Sequence, residues 1–263
     1  MTVAGPLPDP LAGWVDDLRS PDPALRDDGA FTALAGSVSA GDADEHLSAL
    51  GDAGTALLGD QEVQARTFGA LLVALVVERG ATADRELPHL DDWLAAFSRW
   101  YAAEDDLRGY DPTLGWLHAV AHGADALGAF AASPALGADE LAGLLDLAVS
   151  RLRAPTNHHL VQAEDDRLAH AVVAVLRRDL VPLADVTASL DRAYGAWRDG
   201  EAGPVPAQTD NTMRFLRTLH LQLLLGTRTE PDGPVGGPRD RDALVRHLEA
   251  GLAELFWFYG EPA

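Results

Sequence analysis

Almost every stretch of this chain repeats its apolar residues at helical spacing, and none alternates with period two. That pattern excludes sandwiches, barrels and open sheets, and leaves an all-α fold. Candidate helices fall at 8–19, 22–37, 41–57, 61–79, 88–103, 113–131, 138–152, 163–178, 183–197, 209–225 and 239–258. Their starts carry proline or short polar capping groups, as at Ser20-Pro21-Asp22-Pro23, Asp111-Pro112-Thr113 and Asp210. With 47 % hydrophobic residues, the chain has ample material for a buried core. The Pro/Gly-rich stretches at 200–207 and 229–239 are short enough to be connections between helices, so 1–263 reads as a single domain.

Spacing suggests how the helices are arranged. Segment 22–37 has the appearance of a HEAT-type helix, and polar-faced helices begin near 113, 163 and 209, a spacing close to the roughly 40–47 residues of a two-helix repeat. The expectation is a HEAT/armadillo-like, right-handed array of helical hairpins, an α-α superhelix. On that period His118, Asp165 and Arg214 occupy corresponding helices. In helix 113–131, Leu117, Val120, Ala124 and Leu127 share one side, and His118, His122 and Asp125 the other. Helix 209–225 repeats the division, with Asn211, Arg214, Thr218 and Gln222 opposite Leu216, Leu219 and Leu223. One face buried and one turned to a groove is what a helix lining a repeat array presents.

Charge and composition exclude several function classes. Forty-one acidic residues against twenty basic ones, all arginine, give a formal charge of −21. Such a surface repels phosphate backbones and anionic bilayers, so neither nucleic acid nor membrane is an expected partner. There is no cysteine, hence no disulfide, thiolate metal site or cysteine nucleophile. The N-terminal MTVAGPLPDPLAGW lacks the basic and apolar regions of a signal peptide, and the apolar run near 71–77 is too short to span a bilayer. A soluble, cytoplasmic protein is expected. No P-loop, dinucleotide fingerprint, nucleophile elbow or EF-hand sequence is present.

The chemistry concentrates in residues 104–125, EDDLRGYDPTLGWLHAVAHGAD. His118, His122 and Asp125, at spacings of four and three, are ligand types that suit zinc or another divalent ion, with Glu104 or Glu164 available to activate a bound water. The HExxH pattern is absent, because Ala119 follows His118. The competing reading is a polar face whose histidines hydrogen-bond to nearby acids. Glu104, Asp105, Asp106 and Arg108 form a charged turn with an internal Asp–Arg pair, and Glu164-Asp165-Asp166-Arg167 repeats the acid-then-arginine theme. Arginine at 108, 167, 214 or 217 has the fork geometry to hold a carboxylate or phosphate. Trp93, Trp100, Trp116 and Tyr110 lie close by; most such aromatics are core, and stacking on a ligand is the rarer role. The run Leu255-Phe256-Trp257-Phe258-Tyr259 is expected to seal the last repeat, and His158-His159 to sit in a loop or helix start.

These residues also carry a family pattern. Glu104-x-Asp106-x-Arg108-Gly109-Tyr110, followed by Gly115-Trp116-x-His118-Ala119-x-Ala121-His122-x-Ala124-Asp125-x-Leu127, resembles the hallmark of the bacterial domain-of-unknown-function 2785 family. Glu164-Asp165-Asp166-Arg167 and Asn211-x-x-x-Phe215-Leu216-Arg217-x-Leu219 look like its later elements, and Asp22-Pro23-x-Leu25-Arg26-Asp27 also fits. Leu219-His220-Leu221 departs from the pattern, which calls for an aromatic such as tyrosine there. The resemblance carries no activity; it implies that these polar residues belong together.

The resulting expectation is a binding protein with a polar groove built from Glu104, Asp106, Arg108, Tyr110, Trp116, His118, His122, Asp125, Glu164, Asp165, Arg167, Asn211, Arg214 and Arg217. It would take a small polar molecule or a peptide segment, without a cofactor. The alternatives are a metal-dependent hydrolase holding a divalent ion on His118, His122 and Asp125, and a scaffold whose groove is an internal network.

Overall fold

The computed structural model describes residues 5–200, 203–228 and 233–256. It is mostly helical, and among the described residues the only strands are two short ones. Two compact units divide the chain, Met1–Ala135 and Leu136–Ala263.

The first unit contains α1 (Leu11–Asp17), a π-helical turn (Ala24–Phe31) running into α2 (Thr32–Ala40), α3 (Leu47–Leu57), α4 (Val63–Thr82), α5 (Leu90–Ala103), strands β1 (Tyr110–Asp111) and β2 (Gly115–Trp116), and α6 (Ala119–Ala132). At the centre is α4, apolar on nearly all sides and accordingly buried, packed between α3 and α6. Glycine permits the closest approaches. A Cβ on Gly69 would lie 2.7 Å from the Gly54 carbonyl oxygen, so α3 and α4 meet backbone to backbone. A Cβ on Gly123 would lie 2.1 Å from the Tyr101 ring, whose hydroxyl donates to the Val120 carbonyl at 3.0 Å and ties α5 to α6. Trp93 and Trp100 are core residues, as most aromatics are; their indole N–H groups donate to Asp52 and Glu104.

The second unit contains α7 (Ala138–Arg153), α8 (Glu164–Arg177), α9 (Leu183–Arg198), α10 (Ala207–Leu225) and α11 (Arg241–Leu255). Helix α8 packs on α10 and α7 on α9. The buried Tyr194 hydroxyl donates to the Leu248 carbonyl and joins α9 to α11, over the bare backbone of Gly251. Helix α10 keeps most of the division read from its sequence: Leu216, Leu219 and Leu223 are buried and Arg214, Thr218 and Gln222 are half-buried, but Asn211 of the polar stripe is buried as well. Of the C-terminal aromatic run, Phe256 packs on Trp197; Trp257, Phe258 and Tyr259 lie outside the described residues.

The helix expected over 113–131 begins six residues later. Asp111 does not cap a helix. Its Oδ1 accepts the Thr113 and Leu114 N–H groups, closing a side-chain-capped turn, and Gly115 leaves that turn at φ +74°. Tyr110 pairs with Trp116, and Asp111 with Gly115, in an antiparallel hairpin. A Cβ at Gly115 would meet Pro23 at 2.8 Å, so only glycine fits there on both grounds.

Candidate functional site

The hairpin is held from beneath by an arginine. Arg26 is 0 % exposed; it donates to the Leu114 carbonyl at 2.6 Å, the Trp116 carbonyl at 3.3 Å and the Ser20 carbonyl at 3.0 Å, and it pairs with Asp27 at 2.6 Å. Its guanidinium also lies over the Phe68 ring, 4.9 Å from the centroid. One buried cation thus closes the hairpin's orphan carbonyls and packs against the core.

From the other side the hairpin is held by the charged turn. Arg108 is engaged by both Asp106 and Asp111, the internal pair expected from the sequence plus one more carboxylate. This guanidinium is paired within the chain and ties the charged turn to the hairpin. Hydrogen bonds from Arg108 hold the Asp106 carboxyl below the usual carboxylate range. The Leu114 and Thr113 N–H groups do the same for Asp111. Glu104 is buried and accepts four hydrogen bonds: from Arg66 Nε at 2.6 Å, Arg66 Nη2 at 2.8 Å, the Trp100 indole at 2.8 Å and the Asp106 N–H at 3.1 Å. Burial alone would raise its pKa, but these donors outweigh burial and leave it lowered.

Leu117 and His118 then turn the chain into α6. The His118 N–H donates to the Gly109 and Arg108 carbonyls, and His118 adopts φ +48°, a left-handed conformation that costs about 1 kcal/mol or more outside glycine. This turn sets an aromatic ladder. Tyr110 meets Trp116 edge to face at 5.0 Å; Trp116 stacks on His118 at 4.4 Å with planes 3° apart; His118 lies 5.6 Å from His122, and His122 5.2 Å from Phe68. The ladder runs from solvent to core: Tyr110 is 51 % exposed and Trp116 43 %, while His122 and Phe68 are buried.

Two expectations change here. Helix α6 does not present a polar face, since all but Asp125 and Gly128 of residues 119–131 are buried and His122 is among them. Nor do His118, His122 and Asp125 assemble as metal ligands. His118 stands outside the helical register, its ring turned flat onto Trp116. Among the described residues no three His, Cys, Asp or Glu side chains are grouped to hold an ion. Asp125 instead adds to the burial that raises the Glu78 carboxyl.

In the second unit, Ala163 precedes α8 at φ +62°, as His118 precedes α6. Glu164 and Asp165 are buried and Arg167 is exposed. Glu164 Oε2 accepts the Gln162 N–H at 2.7 Å, and Asp165 pairs with Arg214 at 3.2 Å. Asn211 pins the loop before α8, accepting the Leu160 N–H and donating to the His158 carbonyl, both at 2.9 Å. The loop placement expected of His158 and His159 holds, and His159 meets Asp210. Arg217 is exposed and lies over Phe256. Burial, followed by the Asp165 charge, raises the Asp166 carboxyl.

Sequence reasoning passed over Arg66 and Phe68 and gave Arg26 no part in the site, although all three support it. Arg26 and Arg66 each carry one faint signal, a lone cation in an otherwise apolar helical stripe.

The family profile described as Protein of unknown function (DUF2785) matches residues 56–221. The chain belongs to the DUF2785 family. No curated protein and no solved structure matches it. All fourteen candidate residues fall inside the DUF2785 span, whereas Arg26 and the Asp22–Asp27 segment lie before it. The family description names no activity, and among the described residues no helix is long and apolar enough to cross a membrane.

Proposed function

We propose that this protein binds a small polar ligand or a peptide segment, and that the hairpin of the first unit is its contact surface. One observation carries the reading: two large aromatics, Tyr110 and Trp116, are exposed and meet edge to face on a hairpin whose backbone is held by Arg26, Arg108 and the turn at His118. Large exposed aromatics contribute little to folding. Rigid ones lose little conformational entropy on contact, which is why such residues anchor binding surfaces. Backbone strain at the same point is a common mark of a preorganised site. Glu104, Asp106 and Arg108 support this surface from behind. His118 forms the inner half of the stack, and His122 carries it into the core.

Screening a library of polar metabolites and short peptides by titration calorimetry, whose signal does not depend on Trp116, tests the reading. Trp116→Ala is expected to abolish the response of the compounds that bind. Its stability should fall by no more than about 1 kcal/mol, the worth of the exposed stacking contacts. Compounds that bind the wild type and Trp116→Ala equally would refute the placement.

A further inference from the structure

The charge around the aromatic pair narrows the ligand class, an inference that rests on the binding surface proposed above. Glu104, Asp105, Asp106 and Asp111 bring four carboxylates to the turn that carries the hairpin, against the two guanidiniums of Arg66 and Arg108. The neighbouring Arg26–Asp27 pair adds no net charge. Asp105 is exposed, and the chain as a whole carries −21. An anionic ligand would therefore approach against the field, with Arg108 already paired to both Asp106 and Asp111. A cation would approach along it, toward aromatic faces whose quadrupoles attract positive charge.

The protein already uses this chemistry internally. Arginine guanidiniums lie over Phe68, Tyr194 and Phe256 at 4.9, 5.5 and 5.1 Å, and the arginines over Phe68 and Tyr194 are each paired with a carboxylate, Asp27 and Glu254. A flat guanidinium stacks on a ring while its edge N–H groups reach an acid, which a tetrahedral ammonium cannot reproduce. We infer that Trp116 and Tyr110 receive an arginine side chain of a peptide or protein partner, beside the Asp105–Asp111 turn.

The test uses the full-length protein and the capped tripeptide Gly-Arg-Gly, with Gly-Cit-Gly (its uncharged citrulline isostere), Gly-Lys-Gly and Gly-Glu-Gly alongside. Indole N–H resonances are followed by NMR at low ionic strength. The arginine peptide should shift the Trp116 signal and bind about fivefold more tightly than the citrulline peptide, the size of an exposed cation–π contact. That preference should shrink with added salt. It should also shrink in Asp105→Asn, whose exposed side chain leaves the fold intact. Equal binding of arginine and citrulline peptides through Trp116 would overturn the cationic class while leaving the binding surface standing. Stronger binding of the lysine peptide would overturn the guanidinium assignment, and stronger binding of the glutamate peptide the sign of the charge. No movement of Trp116 with the arginine peptide, while library compounds still bind there, would overturn this inference alone. If library compounds also bind Trp116→Ala unchanged, the surface itself is misplaced.

Discussion

Arg26→Met is expected to lower the unfolding free energy by about 3–5 kcal/mol, the usual cost of removing one partner from a buried ion pair. The loss has several identifiable parts. The carbonyls of Ser20, Leu114 and Trp116 lose their donor, Phe68 loses the cation above its ring, and Asp27 is left without its charge partner. Burial already holds the Asp27 carboxyl above its usual range, and Arg26 only partly offsets that. Without Arg26 it should rise further. A carboxyl whose folded pKa is raised costs stability as pH rises through the interval between its unfolded and folded values. The deficit of Arg26→Met relative to wild type should therefore be largest near neutrality and shrink as the solution is acidified through Asp27. Urea denaturation across that range measures both features. A variant within about 1 kcal/mol of wild type at neutral pH would show that the hairpin does not depend on this residue.

Glu104→Gln should cost about 3 kcal/mol, at the low end of the same range, because shape is kept while charge is lost. The carboxylate accepts four donors; a carboxamide must turn its NH2 toward the Arg66 fork or the Trp100 indole and forfeit at least one bond. The pH dependence has the opposite sign to that of Asp27. The folded pKa of Glu104 is lowered below 4.5, so its contribution is complete above pH 4.5 and disappears as pH falls through the folded value. Wild type and Glu104→Gln should thus converge in strong acid and differ most at neutral pH. A constant gap across the titration would mean that the Arg66–Glu104 pair contributes through packing and not through charge.

The difference between what could and could not be read from the sequence follows the range of the interactions. Helices such as α4, α5 and α7 to α10 are written in local periodicity, and each lies within a few residues of the span expected for it. The hairpin is not. Strands of two residues produce no alternation, and Asp111-Pro112-Thr113 reads equally well as a helix start or as a side-chain-capped turn. The choice is made by Arg26, whose partners lie 88 and 90 residues away and leave no mark near Asp111. His118 and His122 fall on one side of any helix drawn through both, but a left-handed residue at 118 removes the first from that helix. The family pattern picked out Tyr110, Trp116 and His118 as belonging together, and their rings do meet. It carried no information on exposure, which distinguishes a platform from a core cluster.

A binding surface at the exposed pair on the hairpin has a direct spectroscopic signature. The most direct measurement follows the six tryptophan indole resonances while the capped Gly-Arg-Gly peptide is titrated into wild type and into Trp116→Ala. Binding at the hairpin gives a saturable shift of the Trp116 signal, little movement of the core residues Trp93 and Trp100, and no saturable response in the variant. A saturable shift centred on other tryptophans and unchanged in Trp116→Ala would contradict it.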